Sequence, residues 1–438
     1  MDAMRGAAWA LVLSLAAMGA NATDAPVDLS AAVDKVTPTV IAHRRHLHQH
    51  PELSNREFET AKYLARQLRA LGLEVETGIA HTGVVAVLKG GRPGPVVALR
   101  ADMDALPVVE QTELPFRSTV KAKFDGQDVG VMHACGHDGH MAVLLGVAEV
   151  LAAQRAELAG TVKFIFQPAE ESAPKGEEGG AFLMVKEGVL SRAPKPDVIF
   201  GMHLLSSYEV GMVGYRSGGI MASADDMRIV VTGKQTHGAA PWLGIDPIVV
   251  ASQIVLGLQT IASRQMDTTK SPVIVTIGRI DGGVRDNIIP DKVEMHGTLR
   301  ALDAGMRKQL HERVQRTAEH IAESAGAKAE VIISERIAYP VTYNDPALME
   351  RMLPSLQERF GNKLFVAQPI LGSEDFSFFQ EKIPGLYLFV GIRPPGVDAA
   401  SFPANHSPLF TMDEDALATG VRLLSGLTLD YLVGAAKP

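Results

Sequence analysis

The stretch HACGHDGH at 133–140 gathers three histidines and the only cysteine of the 438-residue chain. Thiolate and imidazole together suit zinc and neighbouring divalent metals. Cys135 and His137 flank a single glycine and can face one site from a turn. Two other readings use the same residues: a nucleophilic thiol paired with a histidine, and a buried thiol without a task. More groups of this kind stand at the ends of apolar runs. PVVALR is followed by Asp102, TVKFIFQ by Pro168, Ala169 and the adjacent Glu170 and Glu171, and DVIFGM by His203. Two neighbouring carboxylates can divide the labour, one binding metal and the other moving a proton. A metal lowers the pKa of its bound water to about 7, and a nearby glutamate can pass the released proton to a leaving amine.

These groups need a scaffold that brings four connections to one place. GVVAVLKG, PVVALRAD, TVKFIFQ and DVIFGMH read as strands, and MAVLLGVAEVLAAQ and AFLMVKEGVL as helices. Alternation of this kind predicts an α/β sheet covered on both faces. In such sheets ligands gather beyond the carboxyl ends of the strands, where Asp102, Cys135, His137, Glu170, Glu171 and His203 would meet. The segment 222–336 reads differently, as β-α-β-β-α-β, the ferredoxin-like order. It is read as a unit inserted into a first domain made of residues 23–221 and 337–438.

HRRHLHQH at 43–50 carries His43, His46 and His50 at helical spacing. No carboxylate or cysteine accompanies them, and Arg44 and Arg45 would repel a cation. They are read as a solvated or hydrogen-bonded helix face.

Composition is that of a globular chain, 46% hydrophobic and 21% charged, and the formal net charge of −8 argues against a nucleic-acid binder. Residues 1–22 read as a secretory leader: Arg5, an apolar run from Ala7 to Ala20, and the small-residue pattern Ala20-Asn21-Ala22. An exported, periplasmic or secreted protein is expected, and no later segment is read as a membrane span. A single thiol in an oxidising compartment cannot form an internal disulfide, and metal ligation would protect it.

RRHLHQHPELS, ALRADMDALP, HACGHDGH, FIFQPAEE, GMH at 201–203, GSEDFSFF at 372–379 and NHSP at 405–408 follow one another along nearly the whole chain. In this the sequence resembles the di-metal amidohydrolase and exopeptidase family of aminoacylase and carboxypeptidase G, in the branch of hippurate hydrolase and the auxin–amino acid conjugate hydrolases. The resemblance implies a mixed-sheet α/β catalytic domain, similar to zinc exopeptidases, with the inserted unit as a lid and dimerisation domain. It implies two divalent ions, zinc first and manganese second, on Cys135, His137, Glu171, His203 and His406. Glu170 becomes the general base and acid for a metal-bridging water, and Asp102 orients ligands. His237 would stabilise the oxyanion, in some relatives from the partner subunit, and Asn287 and Arg300 would hold the substrate's carboxylate. The implied reaction is hydrolysis of the amide of N-acyl amino acids or short peptides with a free carboxylate, by a homodimer. The sequence departs from the family at Arg100, where a histidine is usual, and at Trp242, where this branch often has histidine; an indole there would line an acyl pocket or pack in the lid. An exported binding protein on a retired hydrolase fold is the reading from another class.

Overall fold

The computed structural model describes residues 28–435; the leader expected over residues 1–22 lies outside the described residues. Apolar side chains at helical spacing form the first helices. α1 (Ser30–Gln49) buries Val33, Val36, Val40 and Leu47, and α2 (Phe58–Ala70) buries Ala61, Leu64, Ala65 and Leu68. Gly72, at φ 74°, then turns the chain into the sheet.

The chain continues through β1 (Glu74–Ile79), β2 (Gly83–Lys89), β3 (Arg92–Asp102), α3 (His137–Ala153), β4 (Ala159–Gln167), α4 (Gly180–Lys186), β5 (Val198–Glu209) and β6 (Val213–Tyr215). It then builds a second sheet from β7 (Ala224–Thr232), α5 (Pro247–Thr260), β8 (Val273–Gly282), β9 (Lys292–Ala301), α6 (Ala304–Ser324) and β10 (Lys328–Tyr339). It returns with α7 (Pro346–Phe360), β11 (Leu364–Val366), β12 (Gly385–Arg393) and α8 (Asp415–Ala435).

The first sheet has eight strands in the order β1-β2-β4-β3-β5-β12-β6-β11. Its centre is parallel, β3 pairing with β4 and β5, and β5 with β12; β1, β2 and β4 pair antiparallel. This is the expected mixed α/β sheet. Central strands buried on both faces explain their near-continuous apolar runs. One face packs against α1, α3 and α8, and the other around Ile165, Ile199, Phe376 and Phe389.

The second sheet is antiparallel, in the order β8-β9-β7-β10, and α5 and α6 supply the other half of its core. Met306, Leu310, Val314, Ala318 and Ala322 recur every fourth residue along α6 and are all buried. Helix starts follow local rules. Asp246, Asp303 and Asp345 each accept a hydrogen bond from the first turn that follows, and Pro247 and Pro346 open α5 and α7.

Two expectations are corrected. β5, read as ending at His203, continues to Glu209, because β12 pairs with it well past His203 while β3 stops pairing at Gly201. The sequence reading expects no segment after the leader to be long enough for a membrane span, yet Asp415–Gly434 in α8 is long and apolar enough by length and composition. That stretch is 72% buried inside the protein, as a core helix against α3 and the sheet.

At the start of β7, buried Asp225 accepts both arms of Arg307, at 2.9 and 2.6 Å, with His311 Nε2 at 3.0 Å and the Ser334 hydroxyl alongside. Burial opposes ionisation, but hydrogen bonds from His311, Arg307 and Ser334 hold its carboxyl well below the ordinary carboxylate range. A lowered acid stabilises the fold above its unfolded pKa and loses that contribution as pH falls. Asp225→Asn is therefore expected to cost about 3 kcal/mol at pH 7. The gap to the unaltered chain should begin to narrow below about pH 4 and close only at still lower pH, where the folded-state carboxyl also takes up its proton. Urea unfolding across that range checks this; equal stability at pH 7 contradicts it.

Candidate metal centre

β3 and β4 end side by side, and β5 passes them at the same level, so that all three connections bring residues to one rim. Asp102 ends β3, and Asp104 follows two residues on. The turn after β4 places Ala169 at φ 53° and Ser172 at φ 94°, bending the chain so that Glu170 and Glu171 both come to the rim. His203 lies where β5 outlasts its pairing with β3. Gly136, at φ 100°, lets the chain turn from Cys135 straight into α3, whose first residue is His137.

Cys135, His137 and His203 offer ligand atoms within 4.8 Å of one another. So do Cys135, Glu171 and His406, and again His137, Glu170 and Glu171. Cys135 Sγ is 3.4 Å from His203 Nε2 and 3.2 Å from His406 Nε2, and His406 Nε2 is 3.1 Å from Glu171 Oε1. The other ring nitrogens are committed elsewhere. His203 Nδ1 donates to the Leu204 carbonyl at 3.0 Å, and His137 Nδ1 to the Asp104 carbonyl at 2.8 Å. In each ring Nε2 is thereby left with its lone pair toward the cluster. His137 Nε2 is buried without a hydrogen-bond partner, the state expected of an atom that waits for a cation. Burial, then the carboxylates of Glu171 and Glu170, push the Cys135 thiol well above its ordinary value; a cation among these donors would hold it as thiolate. One thiol, three imidazoles and a carboxylate fit zinc or a close neighbour.

His406 reaches this group through a turn stitched to it. Its backbone N–H donates to the Ala134 carbonyl at 2.7 Å, at φ 71°. Asn405 donates to the carbonyls of Cys135 and Leu204 at 2.9 and 3.0 Å. His140 is not a free donor, although it lies close by. Its Nδ1 donates to Asp102 Oδ1 at 2.6 Å, and its Nε2 accepts the Leu204 N–H at 2.9 Å.

Beneath the donors lies a layer that sequence reasoning missed. Asp104 Oδ1 and Oδ2 accept the backbone N–H groups of Glu170 and Glu171, both at 3.0 Å. Arg100 is wholly buried. It donates to Gln167 at 2.7 Å, to Asp102 at 2.7 Å, and to Glu374 and Asp375 at 2.9 Å each. Tyr387 donates to the second oxygen of Glu374 at 2.5 Å. Glu170, Glu374 and Asp375 form a further group within 4.8 Å. A signal for Asp104 was present, since residues two apart at a strand end share a face. Nothing in the spacing could pair Arg100 with a motif 274 residues away.

The second unit contributes less directly. Arg300 on β9 is half-buried and donates to the Ser373 hydroxyl at 3.2 Å, beside Glu374. Tyr339, at the end of β10, donates to the Glu170 carbonyl at 3.2 Å. His237 and Asn287 sit next to each other where Thr236–His237 pairs with Ile288–Ile289. Both are exposed, and neither has a described contact with the donor cluster. Trp242 is 78% exposed on the same surface, so it does not pack in the lid core.

The profile of peptidase family M20/M25/M40 matches residues 98–430. Thermostable carboxypeptidase 1 of Saccharolobus solfataricus is 43% identical over 389 residues, covering 89% of this chain and 94% of its own. N-acetylcysteine deacetylase of Bacillus subtilis is 41% identical over 390 residues, covering 89% and 96%. A solved Bacillus subtilis structure, a dinuclear metal-binding peptidase of the M20 family, superposes with a TM-score of 0.77 at 39% identity, covering 91% of this chain and 99% of that one. The chain belongs to peptidase family M20/M25/M40, as a metal-dependent amidohydrolase or carboxypeptidase of that family.

Proposed function

We propose that the chain is an exported enzyme that hydrolyses the amide bond of N-acyl amino acids or of short peptides ending in a free carboxylate. The observation that carries the mechanism is the unequal placement of two adjacent carboxylates. Both approach His137, but only Glu171 also groups with Cys135 and His406, and only Glu170 also groups with Glu374 and Asp375. Cys135, His137, Glu171, His203 and His406 would hold two divalent ions, zinc before manganese because one donor is a thiolate. Such ions polarise the scissile carbonyl and lower the pKa of water to about 7.

Glu170 takes a proton from the attacking water and later gives it to the leaving nitrogen. Burial, then the carboxylates of Glu374, Glu171 and Asp375, push its carboxyl well above the ordinary value, which suits a group that must hold a proton between two transfers. Asp102 fixes His140 and Arg100 behind the donors. His237 would steady the oxyanion, and Arg300 with Asn287 would grip the substrate carboxylate, a geometry that a guanidinium matches. The names of two relatives, a carboxypeptidase and an N-acetylcysteine deacetylase, support an amide with an amino-acid half. A nucleophilic Cys135 is poorly supported. Its surroundings raise its thiol, the reverse of activation.

The inserted unit, residues 222–336, acts as lid and dimerisation domain. Supporting this, Ile248, Val249 and Leu256 on α5 and Ile280 on the edge strand β8 are large, apolar and exposed. A two-fold homodimer through this face would let His237 serve the partner's site.

Glu170→Gln is expected to keep the metal content and lose at least about 100-fold in kcat on N-benzoylglycine; near-normal turnover would sink this mechanism. Light scattering should give a dimer, and Leu256→Glu a monomer of low activity. A monomeric mass for the unaltered chain would remove the dimer and any trans role for His237. Cys135 should oxidise more slowly in metal-loaded than in metal-stripped protein, and equal rates would count against its ligation.

A further inference from the structure

The motif HRRHLHQH has no part in the mechanism above, yet two of its residues are among the most deeply buried charged and polar groups described. Arg44 is 1% exposed and His48 0%. Both leave α1 toward Asp138, the residue after the metal-type donor His137. Arg44 Nε donates to Asp138 Oδ2 at 2.8 Å, and His48 Nδ1 meets the same oxygen at 2.9 Å. Each is also anchored from behind. Arg44 reaches Glu414, just before α8, at 3.3 Å, and His48 Nε2 meets Glu110 at 3.1 Å. The Phe116 ring lies against both, 5.0 Å from the Arg44 guanidinium carbon and edge-on to His48 at 5.8 Å.

We infer that Arg44 and His48 are positioning residues for the metal centre: through Asp138 they set the rotation of α3 about its axis, and with it the direction of His137. Helical geometry gives the reason. His137 and His140 lie three residues apart and share a face, while Asp138 projects about 100° away. Holding Asp138 from α1 therefore turns the other two toward the rim. A rotation of α3 by about 10° would move an atom about 5.5 Å from its axis by about 1 Å. Metal bonds tolerate only about 0.2 Å. Attachment alone does not need these charges. Val33, Val36, Val40 and Leu47 already give α1 an apolar stripe, and apolar packing holds helices at least as well as a buried ion pair. What the ion pair adds is direction, since a guanidinium and an imidazole sharing one carboxylate oxygen permit little sliding or turning.

The inference rests on the two-metal reading, and the test separates the two. Zinc content and zinc affinity, by chelator competition, are measured on the unaltered chain and on Arg44→Lys, Arg44→Met, His48→Phe and Asp138→Asn, together with the visible spectrum of the cobalt(II) form, kcat and KM. Arg44→Met, His48→Phe and Asp138→Asn should bind zinc about 10-fold or more weakly. They should show an altered cobalt spectrum and a lowered kcat with KM nearly unchanged, and Arg44→Lys should recover part of the affinity. If Arg44→Met does not fold, the isosteric Asp138→Asn and the charge-preserving Arg44→Lys decide. Folded variants with unchanged zinc affinity and cobalt spectrum would overturn the positioning role while leaving the two-metal reading intact. An unaltered chain that takes up no zinc or cobalt would overturn both.

Discussion

The rim depends on one buried guanidinium. Arg100 points up from β3 beneath the donor cluster and meets three carboxylates, Asp102, Glu374 and Asp375, with Gln167 on its remaining side. Isolated carboxylates at such depth would be strongly disfavoured as anions. A planar cation with five fixed donors lets them gather there, and lysine, with a compact charge and no fork, could not do the same. The order at the surface follows from this. Arg100 holds Asp102, Asp102 takes the Nδ1 proton of His140, and His140 Nε2 accepts the N–H of Leu204, which adjoins His203.

Asp104 plays the matching part on the other side. Its two oxygens take the N–H groups of Glu170 and Glu171, and its carbonyl takes the Nδ1 proton of His137. One residue thus presents both adjacent carboxylates and an imidazole to the rim. Asp102 and Asp104 can share this task because they leave the end of one strand two residues apart, while β4 ends beside it at the same level and β5 brings His203 to that level before running on. A fold with parallel strands concentrates connections at one edge, and here the connections carry the chemistry.

Charge was harder to read than apolarity. The buried stripes of α1, α2 and α6 and the Asp-Pro starts of α5 and α7 were visible as local patterns. The α/β alternation and the ferredoxin-like order of the second unit were legible in the same way, whereas the eight-strand order of the first sheet was not. In HRRHLHQH the outer histidines His43, His46 and His50 are exposed or half-buried, as their spacing beside two arginines suggests. The two inner residues of that segment escaped, because an arginine on an amphipathic helix normally marks the solvent side. Arg44 breaks that rule only because Asp138, 94 residues on, meets it in the core.

By itself the sequence determined the class of fold, the family, and which metal-type residues stand near strand ends, because these depend on local periodicity and on short motifs whose residue types carry their own chemistry. It could not determine which nitrogen of each histidine is free, that His140 is spent on Asp102 and Leu204, or that Glu170 and Glu171 face different neighbours. Nor could it place Arg100 under Glu374, or Arg44 against Asp138. Only the tertiary structure decided these, because a hydrogen bond depends on distance and direction between groups that the chain separates by scores or hundreds of residues. Burial then turns each of those meetings into an obligation, since a charge or ring nitrogen shut away from water must find its partner within the fold.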